Sequence, residues 1–413
     1  MNYNLINNIA EQYGTPFQLY DEKIIKNNIQ ILINSFKFRF QNFKQFFAVK
    51  ATPNLNILKI VLEEGCGLDC SSYAELKYAE ILKVPGELIM YTSNYTEKKD
   101  LKLALELNAN INLDDISILD DLYDVNEKKM PEKICFRLNP GLGNTSSETE
   151  SNILGGENSK FGISKEDIID GYIKARELGA IRFGLHMMTG SCVLDYDYWN
   201  KTIDVMFEVI NKLNENNIIL EYINIGGGIG VNYKPDQEEI DMEKLVEVIY
   251  SAYNRNINKY DIKYKPNLYM ENGRFITGRS GYLVARCHVI KKTNNKVFYG
   301  LDACMANLMR PGMYNSYHKI SIPKYDNIDK EIIKANVVGT LCENNDWFAK
   351  DRNLPKAEKY DLFVIHDTGA HGHSMGFNYN SKLRCQELLF TTDDKIKLIR
   401  KNETVEDLIR LIC

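Results

Sequence analysis

A chain of 413 residues is too long for one small core, and 44% hydrophobic with 26% charged residues describes a water-soluble protein that divides into a larger and a smaller domain. With 51 basic against 56 acidic residues the formal charge is -5, which gives nucleic acid or an anionic membrane surface nothing to hold. Residues 1–20 lack the apolar core of a signal peptide and no apolar run reaches bilayer length, so the expected compartment is the cytoplasm.

Tyr13-Gly14-Thr15-Pro16 marks a turn into a strand at Phe17-Gln18-Leu19-Tyr20. Ile25, Ile29, Leu32 and Phe36 recur at three- and four-residue steps and predict a helix over 22–36. The next apolar run, Phe46-Phe47-Ala48-Val49, delivers Lys50 to its end and breaks at Pro53, so it predicts a buried strand with an amine at its mouth. An ammonium that loses hydration there favours its neutral form, as a Schiff-base lysine requires; a solvated lysine at a strand end is the plainer alternative.

Beyond it, helices over 55–64 and 72–82 alternate with short strands at 67–70, 89–91, 109–112, 134–138, 183–186, 222–225 and 268–270. That alternation predicts a parallel sheet closed as an α/β, TIM-like (β/α)8 barrel, with chemistry at the carboxyl ends of the strands, where Lys50, His186 and Gly226 fall. Residues 141–160 are rich in Gly, Ser and Asn and predict a mobile loop over the barrel mouth. After about residue 280, strands at 281–290, 296–299, 335–339 and 361–365 with few helices between them predict a C-terminal antiparallel β domain. The expected division is a barrel over 25–278 and a β domain made from 1–24 and 279–413.

Several stretches carry groups suited to chemistry. Gly226-Gly227-Gly228 lets backbone N–H groups converge on a phosphate, and Glu271-Asn272-Gly273-Arg274 offers a carboxylate for a ring nitrogen and a guanidinium for an anion. His186 could stack on a flat cofactor, and Cys342-Glu343 places a thiol beside an acid for proton transfer. Arg310-Pro311-Gly312-Met313-Tyr314 and Asn378-Tyr379-Asn380-Ser381 concentrate polar groups. Each stretch alone also fits a glycine turn, an ion pair, a satisfied core histidine or a buried thiol. His371 and His373 lack a third ligand at zinc spacing, and the nine cysteines form no C-x-x-C pair, so neither a metal nor a disulfide framework is expected.

Taken together and in order, these stretches resemble the fold-type III pyridoxal-phosphate decarboxylases along nearly the whole chain: Phe47-Ala48-Val49-Lys50-Ala51, Gly184-Leu185-His186 with Gly190-Ser191, the glycines 226–228, Glu271 with Gly273-Arg274, Arg310-Pro311 with Tyr314 and His318, Cys342-Glu343 with Asp346, and Asp367-Thr368-Gly369-Ala370 through to Asn378-Tyr379-Asn380-Ser381. The resemblance implies an alanine racemase-like architecture and pyridoxal 5'-phosphate as cofactor. It implies Lys50 as the covalent carrier, His186 against the pyridine ring, Glu271 at the ring nitrogen, and Ser191, Gly226, Gly227, Gly228, Gly273, Arg274 and Tyr379 around the cofactor. Arg274, Arg310, Tyr314 and Tyr379 would bind substrate, Glu343 its distal amine, and Cys342 would act as proton donor at the site of the partner in a homodimer with shared active sites.

Two arginines aimed at a distal carboxylate suit a dicarboxylic diamine, so the expected reaction is decarboxylation of meso-2,6-diaminopimelate to L-lysine. Another carboxylated amine such as carboxynorspermidine, or a catalytically silent homologue that binds a partner, are the alternatives. Asn272 stands where this family has proline and is expected to loosen the turn. Met187-Met188-Thr189, Cys192 and His371 also depart from the pattern and bear on the substrate.

Overall fold

The computed structural model describes residues 3–143, 154–156, 159–326 and 328–413. They divide into two compact units, one made of residues 26–231 and 238–275 and the other of 1–25, 232–237 and 276–413.

The first unit is a closed eight-stranded parallel barrel, β2 (Lys44–Ala48), β3 (Gly67–Cys70), β4 (Ile89–Thr92), β5 (Asn110–Leu113), β6 (Lys133–Leu138), β7 (Arg182–Met187), β8 (Leu220–Asn224) and β9 (Asn267–Met270). Each connection carries a helix: α3 (Leu55–Glu63), α4 (Tyr73–Ile81), α5 (Lys98–Glu106), α6 (Ile118–Val125), α7 (Ile168–Glu177), α8 (Tyr196–Glu215) and α9 (Met242–Lys259). Local chemistry starts several of them. The side chains of Asn54, Ser72, Asp195 and Asp241 each accept a backbone N–H in the first turn of α3, α4, α8 and α9. Covered by helices, the strands are buried almost throughout, polar positions such as Gln45, Asn110 and Asn112 included.

Inside the barrel, Phe46, Met90, Cys135, Tyr222 and Tyr269 form one buried cluster. The Tyr222 and Tyr269 rings stack at 4.5 Å. Gly184 makes room for them, since a Cβ there would collide with the Tyr222 ring. Large side chains thus alternate with small ones across neighbouring strands, as a filled barrel interior requires.

The second unit is a mixed sheet in the order β14 (Trp347–Pro355), β13 (Ile332–Val338), β11 (Lys296–Leu301), β10 (Gly281–Thr293), β1 (Phe17–Asp21), β16 (Gln386–Phe390), β17 (Ile396–Arg400), with β12 (Ile320–Ser321) on β15 (Leu362–His366), itself on β10. The expectation of an antiparallel domain holds for most of these pairs and is corrected for two, because β1 runs parallel to β16 and β11 parallel to β13. The N-terminal strand β1 reaches this unit by pairing with β10 on one side and β16 on the other. A core of Leu283, Ala285, Tyr299, Leu301, Val337, Phe348, Phe363 and Ile365 fills one part of it. Helix α1 (Tyr3–Tyr13) seats Ile6, Ile9 and Ala10 on Phe17, Leu19 and Val364 in another. Of the loop expected over 141–160, residues 144–153 and 157–158 lie outside the described residues.

Candidate active site

Successive side chains on a strand face opposite ways, so a residue two beyond an interior position faces the interior again. Cys135, Gly184 and Tyr222 are paired across β6, β7 and β8, and two residues on stand Arg137, His186 and Asn224, again cross-strand partners. Tyr269 leads likewise to Glu271, just past β9. The apolar floor therefore changes to a buried polar layer at the carboxyl ends of the strands: Asp69, Arg137, His186, Asn224 and Glu271.

Glu271 is the hub of that layer. His186 Nε2 lies 2.9 Å from Glu271 Oε2, and Asn224 Nδ2 donates to Oε1 at 2.6 Å. Burial pushes the Glu271 carboxyl up, but the charge and hydrogen bond of His186, the charge of Lys50 and the Asn224 bond outweigh it, leaving it below the ordinary glutamate range. Asp69 goes the other way: burial first, then the charge of Glu271, hold its carboxyl well above the aspartate range against the pull of Lys50. The two acids are pushed apart by their surroundings, as working carboxylate pairs are.

Lys50 departs from its expected placement. β2 ends at Ala48, and Val49–Ala51 form a 3-10 turn whose Val49 carbonyl accepts from Thr52 N at 3.0 Å. Pro53, with no N–H and a steric demand on Thr52, prevents the strand from continuing. On this turn Lys50 is exposed, so the chain does not strip its hydration as expected. Its surroundings are instead anionic, with Asp69, Glu75 and Glu271 all near enough to act on its charge. Gly273 brings the Glu271–Arg274 segment against the same turn, since a Cβ there would lie 2.7 Å from that of Ala51.

The glycines after β8 form a tight turn. Gly226 and Gly228 have φ of +70° and +102°, and a Cβ would meet Met187 O at 2.6 Å in the first and Gly190 O at 2.7 Å in the second. A Cβ on Gly227 would collide with Glu271 O. Gly226 O accepts from Glu271 N at 2.8 Å and Gly228 O from Val193 N at 2.8 Å, so the turn is clamped between the segments after β7 and β9. Arg274 Nη2 reaches Ser191 Oγ at 3.3 Å beside it.

Asn272 was expected to loosen this turn, and the structure corrects that. Its buried amide donates to Gln45 Oε1 at 3.1 Å and accepts from Ile229 N at 3.4 Å, while its carbonyl accepts from Gln45 Nε2 at 3.1 Å. A proline has no side-chain amide to make such ties.

Arg310, Tyr314, Cys342, Glu343 and Tyr379 all belong to the other unit. Helix α11 (Arg310–Tyr314) buries Arg310, whose guanidinium lies 4.7 Å from the Tyr233 ring centroid and donates to Ser316 Oγ at 3.3 Å. Cys342, Glu343 and Tyr379 are exposed. Of the nine cysteines only Cys342 and Cys413 are, the other seven being buried. His373 accepts no zinc role from its contacts: Nε2 is 2.9 Å from Cys385 O and Nδ1 2.8 Å from Arg384 Nη2.

The sequence reading passed over Asp69, Arg137 and Asn224. Their signal was the two-residue step from Gly67, Cys135 and Tyr222, which needs the register of the barrel to be seen.

A family model, the pyridoxal binding domain of the pyridoxal-dependent decarboxylases, matches residues 26–278, more than half the chain. The chain belongs to that family. Protein TabA of Pseudomonas amygdali pv. tabaci is 38% identical over 407 residues, covering 98% of this chain and 93% of that protein. Diaminopimelate decarboxylase of Methanothermobacter thermautotrophicus is 34% identical over 403 residues, 97% of this chain and 92% of its own. The crystal structure of diaminopimelate decarboxylase from Helicobacter pylori complexed with L-lysine superposes with a TM-score of 0.89 at 29% identity, covering 98% of both chains.

Membership makes pyridoxal 5'-phosphate the cofactor, and the polar layer fits it. His186 Nδ1 is buried with no hydrogen-bond partner among the described residues, which leaves that edge of the ring for a bound ligand. The Gly226–Gly228 turn is packed against the segments after β7 and β9 where any side chain would collide, and Glu271 is held ionised by its partners.

Proposed function

We propose that this pyridoxal-dependent decarboxylase removes the carboxylate at the D-configured centre of meso-2,6-diaminopimelate, releasing carbon dioxide and L-lysine. The observation that carries this is the end-to-end likeness to diaminopimelate decarboxylases, including a lysine-complexed structure, in a chain that also has the two cationic groups a distal carboxylate needs. Lys50, His186, Ser191, Gly226, Gly227, Gly228, Glu271, Gly273, Arg274 and Tyr379 would hold the cofactor. Once bound, its ring supplies the sink for the electron pair that carbon dioxide leaves behind.

The rest is work for the chain. Glu271 Oε2 stays anionic and faces the Nε2 edge of His186, which fixes that imidazole in orientation. Arg274, Arg310 and Tyr314 grip the distal carboxylate, and Glu343 pairs with the distal ammonium. Ornithine and lysine lack that carboxylate and would forgo its charge-assisted hydrogen bonds to Arg274, Arg310 and Tyr314, about 1.5–3 kcal/mol each. Cys342 Sγ delivers the proton that replaces carbon dioxide. We place Cys342 of each chain at the site of its partner in a homodimer; its exposure, against seven buried cysteines, supports a surface that another copy covers. The cytoplasm is the proposed compartment, and no helix among the described residues is long and apolar enough to cross a membrane.

The test is carbon dioxide release by purified holoenzyme on meso-diaminopimelate, lysine, ornithine and carboxynorspermidine. Release from the first alone, with L-lysine as product, is the expected result. Turnover confined to any of the others overturns the substrate assignment.

A further inference from the structure

The substrate-facing residues of the second unit lie on three separate stretches, yet one buried carboxylate joins two of them. Asp346 is 5% exposed. Its Oδ2 accepts from Leu341 N at 2.7 Å, next to Cys342, and its Oδ1 accepts from Met305 N at 2.6 Å, in the segment that leads into α11. Asp346 N in turn donates to Glu343 O at 3.1 Å and Gly339 N to Asp346 O at 3.1 Å, so residues 339–346 close on themselves around that side chain. Two glycines permit the approach: a Cβ on Gly339 would collide with the Asp346 carboxylate, and one on Gly312, in α11, with the Asn345 carbonyl. The third stretch is tied to the same turn, since Cys342 N donates to Asn380 Oδ1 at 2.7 Å, and Asn380 follows Tyr379 in a left-handed conformation with φ 54°.

We propose that Asp346 is a positioning residue that bolts the Cys342–Glu343 turn, which each chain lends to its partner's site, to the segment carrying Arg310 and Tyr314 at its own, so that the proton donor for one site and the substrate-holding groups of the other form one rigid block. This rests on the roles given to those four residues above. A buried carboxyl group accepting two backbone N–H bonds is a short tie, and an amide in its place presents a donor where an acceptor is required. Misplacing a reacting group by about 1 Å costs about a hundredfold in rate, so a loosened turn should register in the chemistry without any contact between Asp346 and substrate.

Two variants approach the tie from opposite sides. Asp346→Asn removes the charge at constant volume; Gly339→Ala keeps the carboxylate and displaces it. Both are compared with wild-type holoenzyme for kcat and KM on meso-diaminopimelate, and for the rate at which iodoacetamide alkylates Cys342, with Cys413 as the internal standard. In protein that circular dichroism shows folded at the assay temperature, kcat should fall by about tenfold or more and KM should rise several-fold together. The alkylation rate of Cys342 relative to Cys413 should change by about threefold or more. A variant that merely loses stability would lower the active fraction and leave KM and the alkylation ratio where they were. Should Asp346→Asn not fold, Gly339→Ala carries the same expectation. Unchanged KM and unchanged alkylation ratio in the folded variants overturn the proposal. If wild type does not act on meso-diaminopimelate but the alkylation ratio still shifts in the variants, the block stands and the substrate assignment falls.

Discussion

Replacing Glu271 by Gln probes the hub of the polar layer directly. The carboxylate accepts from Asn224 Nδ2 at 2.6 Å on one oxygen and sits 2.9 Å from His186 Nε2 on the other. An amide of the same shape keeps one acceptor for Asn224 and turns the other into a donor, so His186 can pair with it only through a deprotonated Nε2, and the charged acceptor that both residues shared is lost. A hydrogen bond to a charged group contributes about 1.5–3 kcal/mol, so the expected loss is about 2 kcal/mol. For a domain of about 150–250 residues each kcal/mol moves Tm by roughly 2–4 °C, which places cofactor-free Glu271→Gln about 4–8 °C below cofactor-free wild type at neutral pH. The gap should depend on pH with a definite sign. The folded carboxyl lies below its ordinary value, so its contribution is complete above the unfolded glutamate range near pH 4 and is lost as pH falls through the lower folded value. The two melting curves should therefore converge on acidification. Differential scanning calorimetry of both proteins across that range is the assay. Equal Tm at neutral pH, or a gap that widens in acid, would refute the account of Glu271 as an ionised hub.

Asp69→Asn should behave in the opposite way: its folded carboxyl lies above the ordinary range, so wild type loses stability as pH rises from about 4 towards neutrality, and the variant should gain in Tm over wild type across that interval by calorimetry. Asn272→Ala should cost about 1–3 kcal/mol in denaturant titration, because Gln45 Oε1 and Ile229 N lose their buried partner; an effect near zero would mean the turn holds without the amide. Lys50→Ala should lack the visible absorbance of covalently held cofactor, and Cys342→Ala should keep it. Each alone should be inactive, and a re-equilibrated mixture should recover about a quarter of wild-type turnover, since half the dimers then carry one complete site. No recovery would place Cys342 at a site of its own chain.

The eight barrel strands were legible because a sheet covered on both faces leaves short apolar runs bounded by turns, and each run survives as a strand. The β-rich second unit was legible only in part. β14 reads WFAKDRNLP and β17 reads IKLIR, with their exposed residues interrupting any apolar run, so neither announced itself. Among site residues, Lys50, His186, the three glycines and Glu271 could be read from local motifs. Asp69, Arg137 and Asn224 could not, since nothing local separates an interior polar residue from one facing the helices until the strands are in register. Asn272 misled for a different reason: the family position suggested a missing constraint, while the side chain supplies a new one through Gln45, 227 residues earlier in the chain.

The packed aromatic floor under the polar layer has a kinetic corollary. With Phe46, Tyr222 and Tyr269 packed beneath the polar layer, nothing that reaches that layer can leave through the interior of the barrel. A two-ended tunnel would let product drain while fresh substrate queued behind it. A cul-de-sac makes arrival and departure mutually exclusive, so the spent amino acid should compete with its own precursor.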